Sequence, residues 1–416
     1  MRGKNEIRFR TVDELDAAGK RIAVRVDLNS SIDPATGSVF VNERFRAHAV
    51  TVRELLDMGG KVVVLAHQGR RGDPDFTDLS QHAKIFSSFV GRDVKFVPDV
   101  VGPEAVEAIK RLSNGQAILL DNVRKIEDED VDLPPEKHAA STIPRTLSPY
   151  LDAFVLDAFS VAHRSHSSIV GFAKLLPTYI GRVMQRELSA LNSIGVAERI
   201  VLILGGNKPQ ECVRMLERFF RDKPEAVEHV LTGGILGQLL TKMQGYDLGP
   251  ASEEILVKKK HLDLQPKLYS ILERAGKRLE APIDFAYLAA DGSRVETPIQ
   301  GLPCPGEIQD IGTNTIEHYR RMIEAMDTGT CVIVKGPVGV YEKPAFRKGT
   351  EALYSALRTS KATTMIGGGD SVTAIDLLGF RASDFSFVSL GGGAFILYLC
   401  GEPLPGLQVL ELTKAG

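Results

Sequence analysis

Two runs in this chain, VVVL at residues 62–65 and IVLIL at 200–204, are apolar at every position. A strand without polar residues has no face to offer water. Such runs belong in parallel sheets covered on both sides by helices. Further β-rich runs lie at 22–28, 94–97, 117–120, 153–156, 229–231, 283–288, 331–334, 363–366 and 385–390. Helical patterns fall between them, at 46–58, 103–112, 183–194 and 348–359. Strand–helix–strand alternation of this kind reads as α/β.

The 416 residues are too many for one core and suit two domains. The helical pattern from residue 182 is expected to bridge them. This gives a first domain at 1–181 and a second at 182–402. The tail at 403–416, GEPLPGLQVLELTKAG from residue 401, either docks back on the first domain or trails off.

In parallel sheets the loops at the carboxyl ends of strands carry ligands. Here the two halves end their strands in different chemistry. VRVDLNSS, VVVLAHQGR, ILLDNVR and FVLDAFSVAHRSH end in cationic and amide side chains, whereas VLILGGNK, VLTGG, VIVKGPVGVYE, MIGGGDS and VSLGGG end in glycine. Cations suit a small, highly charged anion. Glycine lets backbone approach a ligand and offer its N–H groups to phosphate. Two sites on two domains are the expectation.

Arg25, Arg44, Arg70, Arg124 and Arg164 sit at or after strands in the first half. Each alone reads as a salt-bridge residue. Together, at equivalent strand ends, they read as a patch for carboxylate or phosphate. His67 adds a donor three residues before Arg70. Asp27 and Asn29 alternate with Val26 and Leu28 and are expected on one strand face. In the second half, Gly205-Gly206-Asn207-Lys208 is a tight turn or a phosphate-facing one. Gly367 to Ser371 precedes a helical pattern, where N–H groups attract phosphate and Asp370 either caps the helix or holds Mg²⁺. Gly391 to Gly393 is a second such triplet. Neither GxxxxGK[ST] nor GxGxxG occurs.

A net charge of −2 gives no bulk attraction to nucleic acid or membrane. Cys212, Cys304, Cys331 and Cys400 lack metal or CxxC spacing, so reduced thiols in a cytoplasmic protein are expected. The opening MRGKNEIRFRTVDEL has no apolar segment of signal-peptide type.

DAFSVAHRSHSS, AHQGR, LLDNVR, GPVGVYE, GGGDS and SLGGGA stand in the order and spacing of phosphoglycerate kinase, and the chain resembles that family from about residue 25 to 404. FVNERFRAH and VLTGGILGQ look most like its archaeal branch. The resemblance implies two Rossmann-like three-layer domains with mostly parallel sheets, joined by a hinge helix. It implies reversible phosphoryl transfer between 1,3-bisphosphoglycerate and ADP, giving 3-phosphoglycerate and ATP, with Mg²⁺ as cofactor and hinge closure before transfer. A monomer is expected, with a homodimer as the alternative.

By motif, the resemblance assigns the phosphoglycerate to Asp27, Leu28, Asn29, Arg44, His67, Gln68, Gly69, Arg70, Arg124 and Arg164. It assigns the nucleotide to Gly206, Lys208, Gly234, Lys335, Pro337, Glu342, Gly368, Gly369, Asp370 and Ser371, with Asp370 as the metal ligand. Arg44, Lys208, Gly369 and Gly392 would surround the transferring group, with Gly393 beside them.

Three departures stand out. Cys212 replaces a family lysine, Lys335 replaces an asparagine, and Leu390 replaces a threonine. Lys335 either restores the lost charge or is a solvated loop residue. A catalytically weakened, nucleotide- or partner-binding paralogue is the alternative reading. A dinucleotide-dependent oxidoreductase is disfavoured by the missing GxGxxG.

Overall fold

The computed structural model describes residues 9–131 and 133–410. The opening residues 1–8 and the end of the tail, 411–416, lie outside them, as does whatever the sequence suggests for those segments. The chain divides into two compact units, Met1–Ser189 with Pro403–Gly416, and Ala190–Glu402.

The first unit holds strands β1 (Arg21–Arg25), β2 (Lys61–Leu65), β3 (Val94–Val97), β4 (Ala117–Leu120), β5 (Ala153–Leu156) and β6 (Thr178–Ile180). They form one sheet in the order β3-β4-β2-β1-β5-β6, parallel at every pairing. Chain order reverses between β1 and β5, where sheets of this type leave a crevice at their carboxyl ends. Helices α1 (Glu43–Asp57), α2 (Ser80–Val90), α3 (Pro103–Arg111), α4 (Thr142–Leu147) and α5 (Ser167–Val170) connect the strands. Phe45, Ala49, Val52, Leu55 and Leu56 are buried on α1 and pack with Val24, Val64 and Phe86 in the core. Asn42 caps α1 by accepting the Arg44 N–H at 3.0 Å, so the helix starts three residues before its apolar pattern does.

Helix α6 (Arg182–Val196) straddles the division between units. Its first turn is fastened within the first unit: the Arg182 side chain pairs with Asp13 and Glu54, and its N–H donates to Thr51 Oγ1 at 2.9 Å.

The second unit carries β7 (Arg199–Leu204), β8 (Val227–Thr232), β9 (Leu279–Glu280), β10 (Asp284–Leu288), β11 (Arg294–Pro298), β12 (Ile308–Ile311), β13 (Thr330–Lys335), β14 (Thr363–Gly367) and β15 (Phe387–Val388). Its helices are α7 (Pro209–Asp222), α8 (Gly234–Met243), α9 (Pro250–Lys258), α10 (Gln265–Ala275), α11 (Thr313–Glu324), α12 (Lys348–Thr359), α13 (Gly369–Leu377) and α14 (Gly393–Leu399). A second six-stranded parallel sheet runs β15-β14-β13-β7-β8-β9, with its reversal between β13 and β7. The tail helix α15 (Pro405–Gln408) belongs to the first unit, where the Gly406 N–H donates to the Ala162 carbonyl at 2.8 Å.

Three expectations need correction. The first strand stops at Arg25, so Asp27 and Asn29 stand in a loop, not on a strand face. An Asx-type bond from the Asn29 N–H to Asp27 Oδ1, 3.0 Å, makes the chain turn there. The run at 283–288 joins neither large sheet. Its strand β10 lies between β11 and β12 in a three-stranded antiparallel sheet. The run at 385–390 is a strand only at Phe387–Val388.

Candidate active site

The cationic site forms where β1, β2, β4 and β5 end. Arg44, in the first turn of α1, pairs with Asp27 Oδ2 at 2.8 Å and donates to the Asn29 carbonyl at 3.3 Å. The Ser160 hydroxyl donates to the same Asp27 oxygen. Burial alone would raise the Asp27 pKa. The Arg44 charge and the Ser160 hydrogen bond outweigh it and hold the carboxyl well below the usual carboxylate range. Asn29 Oδ1 accepts the Gly69 N–H at 2.8 Å, and the Gly69 carbonyl accepts from Arg124. Gly69 has φ +62°, and a Cβ there would lie 2.6 Å from the Asp75 carbonyl, so this turn demands glycine. The loops after β1, β2 and β4 are therefore stitched together by Asn29, Gly69 and Arg124.

Arg25 is the most deeply buried of the five arginines. Its guanidinium donates to Ser168 Oγ at 2.9 Å and to the Val26 carbonyl, and it lies 3.2 Å from His67 Nδ1. Since arginine only donates, His67 accepts at Nδ1 and carries its proton on Nε2. Burial and then Arg25 push the His67 pKa well below the ordinary value, so the ring is a neutral donor. Gln68 is wholly buried, its amide spent on Ser30 and Asp75, and Leu28 is buried too. Any contact these two make with a ligand would come from their backbone.

Arg70 is exposed, Arg44 and Arg164 half-buried, and Arg124 buried. Burial, then Arg164 and Arg25, lower Arg124 to about 10. The same crowding acts on two histidines that the motif reading passed over. Burial and Arg164 bring His163 to about 4; burial, Arg164, Arg124 and Arg25 bring His166 to about 3. The spacing HRSH at 163–166 was their only visible sign. Five arginines gathered against three nearby carboxylates, Asp27, Glu129 and Asp130, leave an excess of partly buried positive charge that suits an anion.

In the second unit the N–H groups of the glycine turns at 205–206 and 233–234 meet backbone. Gly206 donates to the Pro337 carbonyl at 2.7 Å, Gly234 to the Val338 carbonyl at 3.0 Å, and Gly205 to the Lys335 carbonyl at 2.8 Å. A Cβ on Gly205 would lie 2.3 Å from the Pro337 carbonyl oxygen. Glycine here lets three strand-end loops interlock. The resulting wall bounds a cavity of about 250 Å³ lined by Gly206, Gly234, Pro337, Glu342 and Asp370, with Gln238 and Gln309 beside them. Gln309, from the antiparallel sheet, was illegible as a site residue.

A second hollow, about 90 Å³, is lined by Lys208, Lys335, Gly368, Gly369, Asp370, Ser371, Gly392 and Gly393. Helices α13 and α14 begin here, and the first N–H groups of a helix have no partner within it. A Cβ on Gly369, Gly392 or Gly393 would meet nothing within 4 Å, so these glycines face open space, unlike those at 205 and 234. Ser371 is buried and its hydroxyl accepts the Gly336 N–H at 2.7 Å, so it ties two loops. Lys335 is 5% exposed, with Nζ 3.1 Å from Glu211 Oε2 and 3.3 Å from the Lys208 carbonyl. Burial opposes its charge, yet Cys212 and then Glu211, which lie beside it, raise its pKa. The Cys212 thiol is itself pushed up by burial. Lys335 is thus no solvated loop residue.

Asp370 is exposed and borders both hollows. Among the described residues no three or more His, Cys, Asp or Glu gather as a metal site. One carboxylate beside a phosphate cradle fits Mg²⁺, which takes few protein ligands and completes its shell with phosphate oxygens and water. All four cysteines are free, and among the described residues no helix is long and apolar enough to cross a membrane.

Comparison with known proteins places these two sites in context. The family model described as phosphoglycerate kinase matches residues 12–402. A phosphoglycerate kinase of Sulfolobus acidocaldarius is 37% identical over 97% of this chain and 96% of its own. One from Methanothermobacter thermautotrophicus is 38% identical over 98% of each. Among solved structures, phosphoglycerate kinase from Pyrococcus horikoshii superposes with a TM-score of 0.87 at 32% identity, over 96% of this chain and 98% of that one. The enzyme from Coxiella burnetii gives 0.80 at 27% identity, over 97% and 99%.

Proposed function

The chain belongs to the phosphoglycerate kinase family, and on that premise we propose how its own residues carry the reaction. The activity is reversible phosphoryl transfer between 1,3-bisphosphoglycerate and ADP. The match across nearly the whole length supports it most directly. Nothing in the comparisons favours a non-catalytic paralogue.

In the direction from ATP, a carboxylate oxygen of 3-phosphoglycerate attacks the γ-phosphorus. One P–O bond forms as the bond to the ADP oxygen breaks. The nucleophile is already an anion, so no general base is required. Positioning and charge neutralisation do the work. Arg70, Arg124 and Arg164 take the substrate's phosphate. Asn29 and the neutral His67 orient its polar oxygens. Arg44, held by Asp27, takes the transferring phosphoryl group. Lys208, Lys335 and the N–H groups of Gly369 and Gly392 spread over the same group and its neighbours. Glu342 holds the ribose, while Gly206, Gly234 and Pro337 form the wall against the nucleoside. Gly368 lets the cradle turn, at φ +95°. Asp370 would hold Mg²⁺, which when bound neutralises phosphate charge. The phosphoglycerate belongs to the first unit and the nucleotide to the second, so transfer follows hinge closure.

Arg44→Ala tests the central role. Its kcat should fall on the order of 10²- to 10³-fold, with modest loss of substrate binding. Undiminished turnover would remove Arg44 from the transferring group. Assays with 3-phosphoglycerate and Mg-ATP, run beside Mg-GTP, give the activity and its nucleotide preference together.

A further inference from the structure

We propose that His48 is a positioning residue for this reaction, fixing the Asp27–Arg44 pair through the Asp27 backbone and linking it to the first turn of α6 through Asp157. This rests on the role given above to Arg44.

His48 stands in the second turn of α1, 2% exposed, with polar contacts at both ring nitrogens. Nε2 lies 3.3 Å from the Asp27 backbone nitrogen. A backbone N–H can only donate, so Nε2 is the acceptor and the ring proton sits on Nδ1. Nδ1 in turn lies 3.3 Å from Asp157 Oδ2. The other Asp157 oxygen accepts the N–H groups of Val183, at 2.8 Å, and Met184, at 3.3 Å, in the first turn of α6. Glycine at 181 leaves room for this carboxylate, since a Cβ there would lie only 2.3 Å from Asp157 Oδ1. From Asp27 the chain of contacts ends on Arg44 Nη1, 2.8 Å from Asp27 Oδ2.

Each link has a defined donor and acceptor. A buried ring with both nitrogens satisfied costs little, whereas an apolar replacement would strand the Asp27 N–H and one oxygen of Asp157. The ring is not needed to dock α1 against α6, since the Arg182 N–H to Thr51 and the Arg182–Glu54 pair already do that. Its distinct contribution is the location of the Asp27 backbone, and hence of the Arg44 guanidinium. Misplacement by about 1 Å from a residue outside the chemistry can cost on the order of 10² in rate.

Three substitutions separate the ring's two jobs. A Gln amide reaches the place of Nε2 and can accept from Asp27. An Asn amide reaches only the place of Nδ1 and can donate to Asp157. His48→Leu should lower kcat about ten- to a hundredfold, with the KM for 3-phosphoglycerate little changed. His48→Gln should recover most of the rate, and His48→Asn should not. In an Arg44→Ala background His48→Leu should add almost nothing, because both act through one guanidinium. A folded His48→Leu enzyme with full kcat would overturn the proposal, as would equal rates for the Gln and Asn variants or additive losses with Arg44→Ala. If the Leu variant fails to fold, the Gln and Asn pair still decides. Arg44→Ala with undiminished kcat would mark failure of the Arg44 assignment itself, not of the His48 link.

Discussion

Lys335 shows how one residue's neighbours set its meaning. It ends β13, inside the hollow that Lys208 and the glycine termini line, and it leans on Glu211. Directly after Glu211 comes Cys212, a buried thiol where the family pattern has lysine. We read the pair as one cation moved from the first turn of α7 to the end of β13, with Lys335 passing from Glu211 to phosphate when nucleotide binds. Lys335→Asn should therefore lower kcat and raise the KM for ADP, roughly tenfold or more for loss of one charge-assisted contact. Adding Cys212→Lys to that variant should recover part of the loss. Steady-state kinetics of the two variants decide it. An unchanged kcat and ADP KM in Lys335→Asn would mean that Lys208 and the N–H groups suffice.

Elements were legible in proportion to how completely they are buried. The strands at 117–120 and 153–156 were readable to the residue, because both faces of a parallel sheet demand apolar side chains, while 94–97, at the sheet edge with Lys95 exposed, was readable from Val94, Phe96 and Val97 alone. Strand β11, RVETP, shows only mixed polar residues, and β9 is two residues long, so neither carries a periodic signal. The cations of the first site were visible because arginine at a strand end is conspicuous. The interlocking of glycine loops was not, since nothing in GG distinguishes a backbone partner from a phosphate. The antiparallel sheet nonetheless supports the nucleoside cavity. Buried Asp310 on β12 pairs with Arg294 on β11 at 2.8 Å and accepts the Gly349 N–H at 3.0 Å. Asp310→Ala would leave the Arg294 guanidinium with Glu296, at 2.9 Å, as its remaining carboxylate and would strand the Gly349 N–H, at a cost of about 1.5–3 kcal/mol. Hydrogen exchange should speed up across 294–311 and 336–349, with weaker ADP binding. Unchanged protection there would show that Glu296 alone is enough to hold Arg294.

At the scale of the whole molecule, the cationic cluster should make stability depend on pH in a way that an anion corrects. His82, His163 and His166 are lowered to about 4, 4 and 3, by burial in each case, and for the last two by arginines as well. A depressed histidine binds its proton later in the folded chain than in the unfolded one. Its contribution is therefore complete above the ordinary value near 6.5 and is lost as pH falls towards the folded value. His67 and His261 are lowered by burial too, so Glu129 and Asp310, both raised by burial and acting in the opposite sense as pH drops, are two against five. The melting temperature should accordingly fall between pH 7 and pH 5. Sulfate keeps its double charge across that window, so it serves as the probe. Bound among Arg124, Arg164 and His166, it would offset the repulsion that holds His163 and His166 neutral and let them charge without unfolding. Its stabilising shift should then be larger at pH 5 than at pH 7, whereas its general salting effect is the same at both. Equal shifts at the two pH values would separate the histidines from the anion site, and a melting temperature unchanged by pH would mean that the raised carboxyls cancel them.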